Sequence, residues 1–468
     1  MTPNWPQGVV ADANLLANDV SSSPVPLRRL EGARILWFDR EALADGEQGG
    51  DRLEEASRRL LRKCAFVVAE GRRADVVGWA DRYGGAGIGR HGGSGRSVLL
   101  NGYSVKGVGP TPLLGIGESP SHSTGGAYLE EAIREVVTSK TLRDRLPYGV
   151  VPIVAIIDTG IDQKWRIDGR DLTERRVLIV RRFSLRFAHL MRAYGYRPPT
   201  FQGKRDDAAR VRYNAKLLTG MLGADSVGDL LGDGLRRWAE QIGYAMVSGI
   251  GIGGSPSNLD VRGSVIDFGA VSALPGDANY VLSPGNTVVG QFGRAMAAAG
   301  SLISDLDRAV PNELDLAEDV VTSAMALSFE DGIISGLFGR LGLAGSGLPP
   351  DRDSPDRERI LRDYLHFHRL ASRRRVELTD ACHDVTEPDG GLEGLFDDGG
   401  EAALRPLSTT IRALLASRGV AVPVLASSTR RASRELLRKR IHQALSQMDG
   451  DDGVPEIIQH FCGIGGLA

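Results

Sequence analysis

A hairpin followed by a helix, between residues 97 and 146, constrains the fold of this 468-residue chain more than any other feature. The segment "SVLLNGYSVKGVG" has two short strand-like runs on either side of an Asn-Gly pair, which is the usual signal of a β-hairpin. The next segment, "GGAYLEEAIREVVTSKTLRDRL", has apolar residues at helical spacing and acidic residues early in the run. The pattern predicts that Lys106 lies on a strand and Glu135 on the helix that follows.

The rest of the chain divides into a strand-rich half and a helix-rich half. Two more strands are predicted at "VVPIVAIIDTGI" and "RRVLIVRRFSL", and the first is almost wholly apolar and therefore buried. Helical patterns dominate residues 205–247 and the region after about residue 290. Since the chain exceeds what one hydrophobic core usually organises, we predict an α+β fold of two lobes. The predicted divisions are an N-terminal arm over residues 1–27, an N-lobe over 28–200, a C-lobe over 201–345 and a C-terminal helical extension over 346–468.

Composition argues against several classes of partner. The 57 Lys and Arg residues nearly balance the 59 Asp and Glu residues, so no overall charge favours nucleic acid or an anionic membrane. The three cysteines are widely spaced, which argues against a zinc site or a disulfide scaffold and favours a reducing compartment. The N-terminal segment lacks a signal-peptide pattern, and no segment approaches the roughly 18 apolar residues of a membrane span. We expect a cytoplasmic protein with no nucleic-acid or membrane partner.

The stretch "SVIDFGAV" points to a possible chemistry, because protein kinases hold magnesium at an Asp-Phe-Gly turn. Enzymes of this kind need positioned charges more than a covalent nucleophile. Asn258 precedes Asp267 by nine residues, which is enough for a tight hairpin that brings both side-chain oxygens to one metal ion. The candidate parts occur in kinase order: Gly87, Gly89 and Gly92 for a phosphate loop, Lys106 for the phosphates, Glu135 to orient that lysine, and Asn258 and Asp267 for the metal.

Each of these features has a simpler explanation when it is taken alone. A single G-x-G-x-x-G in a chain with 60 glycines is often chance, and a strand lysine often faces solvent. The joint order and the types of element favour an ATP site of the kinase kind. They therefore predict ATP with Mg²⁺ or Mn²⁺ as cofactors.

Several longer segments carry a more specific pattern. The segment "YGGAGIGRHGGSGRSVLLNGYSVKGVGPTPL" contains Tyr-x-Gly, Gly-x-Gly-Arg and Lys-Gly-x-Gly-x-Thr-Pro, and "AIREVVTSK" contains Ile-Arg-Glu. The segments "RRFSLRFAHL" and "GYAMVSGIGIGGSPSNLDVRGSVIDFGAV" follow in the same order. From about residue 80 to about residue 300, the chain resembles the SelO family in these motifs.

The resemblance implies that the two-lobed α+β fold is a protein-kinase-like fold with additional C-terminal helices, and that it binds ATP in a flipped orientation. Members of that family transfer AMP, rather than phosphate, to Ser, Thr or Tyr hydroxyl groups of proteins. The resemblance thus implies that Lys106 and Glu135 form the ion pair at the phosphates, and that Asn258 and Asp267 hold the divalent metals. A protein or peptide acceptor is the implied partner.

The resemblance also assigns arginines to the phosphates. Arg96, in "GSGRS", matches an arginine that grips the distal phosphates, where a guanidinium fork suits phosphate oxygens. Arg186 matches the second arginine region of the family. Arg181 is a companion candidate in the same region, where the alignment of the chain with the family motif shifts.

The chain departs from the family at the metal loop. The family reads Asn-Thr-Asp-Asn there, whereas this chain has a serine, Ser257, directly before Asn258. A serine hydroxyl cannot serve as a base at neutral pH, the position five before Asn258 is Gly253, and Asp260 is the nearest other acid. Two alternatives therefore stay open. One is an enzyme that tailors a ribosomal peptide natural product by adenylation or phosphorylation of a group that needs no base, and the other is a nucleotide-binding pseudoenzyme.

Overall fold

The structure is a computed structural model that describes most of the chain. The described residues are 15–43, 50–85, 91–115, 123–167, 170–195, 207–273, 279–283, 286–287, 290–343, 347–371, 375–377, 395–396, 402–423, 434–447 and 453–463. The architecture is mixed α/β, with 51% helix and 21% strand, and its main element is a curled antiparallel sheet.

Nine strands form the main sheet. In chain order they are β1 (Ser23–Arg29), β2 (Arg34–Phe38), β3 (Phe66–Val68), β4 (Val76–Arg82), β5 (Gly93–Leu100), β6 (Tyr103–Lys106), β7 (Ala127–Tyr128), β8 (Ile153–Ile167) and β9 (Arg170–Arg182). The spatial order is β2-β8-β9-β6-β5-β4-β1-β3, and β7 also pairs with β9. Strand β6, which carries Lys106, therefore lies inside the sheet between β5 and β9.

The predicted hairpin is present as β5 and β6. Leu100 pairs with Tyr103, and the two residues between them, Asn101 and Gly102, have φ angles of +51° and +87°. Asn and Gly are the residues that adopt positive φ most readily, which explains why this pair forms a two-residue turn. The longest hairpin of the sheet is formed by β8 and β9.

Eleven α-helices occur in the described part of the chain, together with two smaller sheets. The helices are α1 (Arg40–Leu43), α2 (Gly50–Cys64), α3 (Leu129–Arg143), α4 (Asp207–Leu222), α5 (Ala224–Val247), α6 (Gly290–Ala309), α7 (Glu318–Arg340), α8 (Pro355–Ala371), α9 (Arg405–Ser417), α10 (Arg434–Ser446) and α11 (Val454–Gly463). The small sheets consist of β10 (Ile250–Gly251) with β11 (Ser272–Ala273), and of β12 (Asn279–Ser283) between β13 (Asn286–Thr287) and β14 (Arg375–Glu377).

The two faces of the main sheet bury different groups of apolar side chains. One face packs against α3 and continues into helices α4 to α6, with Ile133 of α3 and Ile179 of β9 in the same group. The other face packs against α2, with Leu60 and Val105 in a second group. Since side chains alternate along a strand, Val105 faces α2 while the next residue, Lys106, faces α3. A third group lies among α7, α8 and α9.

The N-terminal region differs from the arm expected over residues 1–27. Leu15 and Leu16 are buried, and β1 begins at Ser23 and pairs with both β3 and β4. Residues 15–27 are therefore part of the packed structure, and residues 1–14 lie outside the described residues.

Helix α7 is the one described helix that is long and apolar enough to cross a membrane by length and composition. It packs closely along α5, since a Cβ atom on Gly332 would lie 2.0 Å from the carbonyl oxygen of Glu240. In its most apolar 18-residue window, 44% of the residues are buried inside the protein. This packing favours a core helix over a membrane span.

Candidate functional site

Lys106 is at the centre of a cluster of charged side chains. Its Nζ atom lies 2.5 Å from Oε1 of Glu135 and 2.9 Å from Oε1 of Glu131. Both glutamates are on α3, one turn apart, so their side chains share the face of the helix that packs on the sheet. The predicted pair of Lys106 and Glu135 is thus formed, together with a second carboxylate, Glu131, that was not predicted.

Two arginines extend this cluster on neighbouring strands. Arg181 of β9 forms an ion pair with the second carboxylate oxygen of Glu135. Arg96 of β5 donates to both carboxylate oxygens of Glu131, at 2.9 and 3.1 Å, and to the carbonyl oxygen of Gly126 at 3.1 Å. The result is a chain of alternating charges that we call the charge chain: Arg96, Glu131, Lys106, Glu135 and Arg181.

Arg186 reaches the same region with a different set of partners. Its guanidinium donates to the carbonyl oxygen of Ser257 at 2.8 Å, lies 3.6 Å from Oδ2 of Asp81, and stacks 5.1 Å from the ring centre of Tyr83. Its backbone N–H donates to Nδ1 of His189 at 2.9 Å, and Nε2 of His189 lies 2.8 Å from Oδ1 of Asp81. Asp81 and His189 are buried, so they hold Arg186 at a fixed position.

The His189 side chain is in its neutral form. Burial lowers the pKa of His189 below its ordinary value, although the carboxylate of Asp81 acts in the opposite direction. Nδ1 accepts a hydrogen bond from a backbone N–H, so the single ring proton lies on Nε2 and is donated to Asp81.

One cleft brings five of the predicted site residues together. It is lined by Arg96, Lys106, Arg181, Arg186 and Asp267, with Leu114 and Ile179 among the apolar side chains. Four cations that converge on one cleft are a candidate site for an anion with several negative oxygens.

Asn258 and Asp267 lie on the tight hairpin that their spacing predicted. The N–H of Ile266 donates to the carbonyl oxygen of Asn258 at 2.8 Å, and Leu259 and Val265 form an antiparallel bridge. The hairpin brings Asp267 to the cleft and leaves Asn258 beside it on the paired segment.

Asp267 is ionised at the cleft surface. Removal of water by the surrounding protein would by itself raise the pKa of this carboxyl group, but Lys106, Arg181 and the N–H of Gly269 hold the pKa well below its usual range. The N–H of Gly269 donates to Oδ1 at 3.0 Å. A charged carboxylate therefore faces the cleft at neutral pH.

The donor set of this hairpin suits a hard divalent cation. A carboxylate and an amide oxygen are the ligand types that Mg²⁺ accepts, and Mg²⁺ usually takes its other ligands from substrate phosphates and water. Among the residues that the structure describes, no group of three or more His, Cys, Asp or Glu side chains is placed to hold a metal ion. Asp267 and Asn258 would supply only two ligands, so phosphate oxygens and water would complete the coordination of a metal bound here.

The predicted phosphate loop is described in part. Gly87 and Gly89 lie outside the described residues, whereas Gly92 has a φ angle of +102° and its carbonyl oxygen accepts from the N–H of Tyr83 at 3.1 Å. The following residue, Gly93, has a φ angle of +133°, and a Cβ atom there would lie 2.2 Å from the carbonyl oxygen of Asp81. Part of this glycine cluster therefore serves the close approach of β4 and β5.

No replacement for the missing acid emerges around Ser257 in the described residues. The hydroxyl of Ser257 lies 2.8 Å from that of Ser255 and 3.2 Å from Oδ1 of Asn258. The nearest candidate from the sequence, Asp260, is fully buried and accepts hydrogen bonds from Ser184 Oγ at 2.9 Å and from two backbone N–H groups at 2.8 and 3.0 Å. Asp260 thus stabilises the hairpin turn and does not face an acceptor.

No protein-family model matches the chain, and no curated protein matches it.

Sequence reasoning missed two residues that shape the cleft. Glu131 had a detectable signal, because it precedes Glu135 by four positions and so lies on the same helix face. His189 had none, since its role depends on contacts with Asp81 and Arg186 that only the fold creates.

Proposed function

We propose that the protein is a SelO-like nucleotidyltransferase that uses ATP and a divalent metal to transfer AMP to a protein or peptide acceptor. The observation that carries this proposal is the cleft in which four cations and the ionised Asp267 converge. A triphosphate is a ligand with enough anionic oxygens to use all four cations, and transfer from it requires charge stabilisation more than a protein nucleophile.

Each cleft residue has a role in this proposal. Lys106, fixed by Glu135, would hold phosphate oxygens, and Arg96, Arg181 and Arg186 would neutralise the charge that develops on the leaving phosphates. Asp267 and Asn258 would hold Mg²⁺ or Mn²⁺, which supplies further charge neutralisation when it is bound.

The proposal includes a protein-kinase-like fold of two lobes. The main sheet with α3 would correspond to the N-lobe, helices α4 to α7 with the Asp267 hairpin to the C-lobe, and helices α8 to α11 to the C-terminal extension. The position of Lys106 inside the sheet, paired with a glutamate of the following helix, supports this assignment. The balanced charge and the few cysteines support a cytoplasmic location.

One observation keeps two other functions under consideration. Position 257 carries no acid, and Asp260 is enclosed in the turn, so the described part of the proposed site offers no base for a hydroxyl acceptor. An acceptor that needs no deprotonation, such as a carboxylate of a ribosomal peptide, would suit a peptide-tailoring enzyme that adenylates or phosphorylates it. A nucleotide-binding pseudoenzyme would need no base at all.

A labelling experiment separates these functions. The purified protein is incubated with Mg²⁺ or Mn²⁺ and ATP labelled at the α- or the γ-phosphate, together with a lysate as the source of acceptors. We expect α-label in protein and no γ-label, and we expect Lys106→Met to abolish the signal. Lys164→Met is the matched control, because Lys164 is an exposed strand lysine far along β8. Transfer of γ-label alone would contradict AMP transfer, and nucleotide binding without either label would favour the pseudoenzyme.

A further inference from the structure

Glu131 occupies the hydrogen-bond donors that a polyphosphate would need. Its carboxylate accepts hydrogen bonds from both terminal nitrogens of Arg96 in a bidentate contact, and it also lies 2.9 Å from Nζ of Lys106. A phosphate group that binds to Arg96 through the same two nitrogens must replace this carboxylate.

The two glutamates on Lys106 differ in how firmly they are held. The side chain of Glu135 is 1% exposed and is bound between Lys106 and Arg181, which are themselves nearly buried. The side chain of Glu131 is 17% exposed and its partner Arg96 is 14% exposed. Glu135 is thus the anchor of the charge chain, and Glu131 is its more exposed carboxylate.

Glu131 also completes the charge balance of the cleft. The four cations are Arg96, Lys106, Arg181 and Arg186, and four carboxylates lie against them: Glu131, Glu135, Asp267 and Asp81. Burial would raise the pKa of Glu131, but Lys106 and Arg96 hold it well below its usual range, so this carboxylate carries its full charge at neutral pH. A metal-free polyphosphate therefore meets a cleft whose cations are already neutralised, whereas a metal-bound polyphosphate carries less negative charge of its own.

We propose that Glu131 is a displaceable counter-ion that makes the cleft select metal-bound over metal-free polyphosphates. Glu131 holds Arg96 until a polyphosphate with a bound metal ion replaces its carboxylate, and this exchange determines the specificity of the cleft. The inference rests on the proposed function only in assuming that the ligand of the cleft is a polyphosphate.

The test measures binding of inorganic tripolyphosphate and of ATP by calorimetry, each with excess EDTA and with Mg²⁺. We expect Glu131→Gln to tighten metal-free tripolyphosphate binding by about tenfold, which corresponds to about 1.4 kcal/mol. We expect a much smaller gain in Mg²⁺, so the ratio of the two affinities falls. The matched control is Glu130→Gln, since Glu130 is the adjacent residue of α3 and pairs with His442 outside the cleft. Glu130→Gln is expected to leave both affinities unchanged.

Two further variants keep the inference falsifiable. Glu135→Gln removes the anchor, so it is expected to weaken binding under both conditions. Glu131→Asp keeps the charge on a shorter side chain, and it is expected to fall between wild type and Glu131→Gln. The inference is overturned if Glu131→Gln weakens metal-free binding as Glu135→Gln does, leaves it unchanged, or shows no tripolyphosphate binding. If Glu131→Gln behaves as expected and no label is transferred from ATP, the inference stands and the proposed function fails.

Discussion

The guanidinium of Arg186 donates a 2.8 Å hydrogen bond to the backbone carbonyl of Ser257. This contact connects a cation of the cleft to the residue directly before Asn258, where the family proposed for this chain has an acid. A side chain at position 257 is therefore held next to the proposed metal loop by a cleft residue. The chemistry available to an acceptor should depend on that one side chain.

Ser257→Asp should add the missing base. A positioned base typically contributes at least about 10²-fold to a proton-transfer step, so we expect α-label transfer to protein hydroxyls to rise by about this factor. Labelled protein is quantified after incubation with α-labelled ATP. A second step tests whether the linkage between the label and the protein is stable in base. Ser257→Asn is the control, because it has the same size without the charge. An equal rise with Ser257→Asn, or full hydroxyl transfer by wild type, would argue against a base at this position.

Asp267→Asn should reduce the dependence of nucleotide binding on metal. The charged carboxylate is the proposed metal ligand, so we expect the ratio of the ATP affinities with Mg²⁺ and with EDTA to fall, while Glu131 retains its own contribution to that ratio. Transfer of label should fall by about two orders of magnitude, and EDTA should have the same effect on wild type. Calorimetry and labelling are the measurements, and Asp307→Asn on the exposed side of α6 is the control. An unchanged ratio of the two affinities in Asp267→Asn would exclude this residue as a ligand.

His368 should make the fold less stable in mild acid. Burial on α8 lowers the pKa of His368 from 6.5 to about 4, so the unfolded chain binds a proton at a higher pH than the folded protein does. His368 therefore does not lower the free energy of unfolding above about pH 6.5. The folded protein loses stability as the pH falls from there toward 4. Over this interval we expect wild type to lose about 1.4 kcal/mol per pH unit more than His368→Gln. Urea unfolding at several pH values measures the difference, and equal slopes would show that His368 is protonated in the fold.

Gly93→Ala should destabilise the protein where β4 and β5 meet. The added Cβ atom would lie 2.2 Å from the carbonyl oxygen of Asp81, at a φ angle of +133°. We expect a loss of about 3 kcal/mol or more in the free energy of unfolding, together with weaker polyphosphate binding, because Asp81 holds Arg186. Gly220→Ala on α4 is the contrasting substitution. No atom lies within 4 Å of a Cβ atom there, and helix propensity predicts a gain of about 0.5 kcal/mol. Similar effects of the two variants would be inconsistent with this packing.

The local elements of the fold could be predicted because their signals are local. The Asn-Gly pair and the helical spacing of α3 lie within short windows, and both elements were located correctly. Strands β8 and β9 were shorter in the prediction than in the structure, where their pairing also covers residues 161–167 and 170–176. That stretch is polar, so apolar runs alone gave no reason to extend either strand. Residues 1–27 were expected to form an arm because they are polar and contain proline and serine, yet pairing of β1 with β4 outweighs this local composition.

Some residues of the candidate site, like parts of the fold, could not be predicted from the sequence. Lys106 and Glu135 could be predicted from the order of elements, whereas the placement of Arg181 required the register between strands. Lys106 is paired with Ile179, and Arg181 follows two residues later, so Arg181 faces the same side of the sheet as Ile179 and reaches the cleft. The bidentate contact between Arg96 and Glu131 depends on the distance from the sheet to α3, which no sequence pattern specifies.

The charge chain has a consequence for how the protein responds to mutation. Its five side chains come from three strands and one helix, and each inner member is shared between two neighbours. A substitution at one member changes the electrostatic environment of the next, so the effects of two substitutions should not sum to the effect of the double variant. Helix α3 and the sheet are thereby joined as one thermodynamic unit, and a loss of cleft geometry should accompany any partial detachment of that helix.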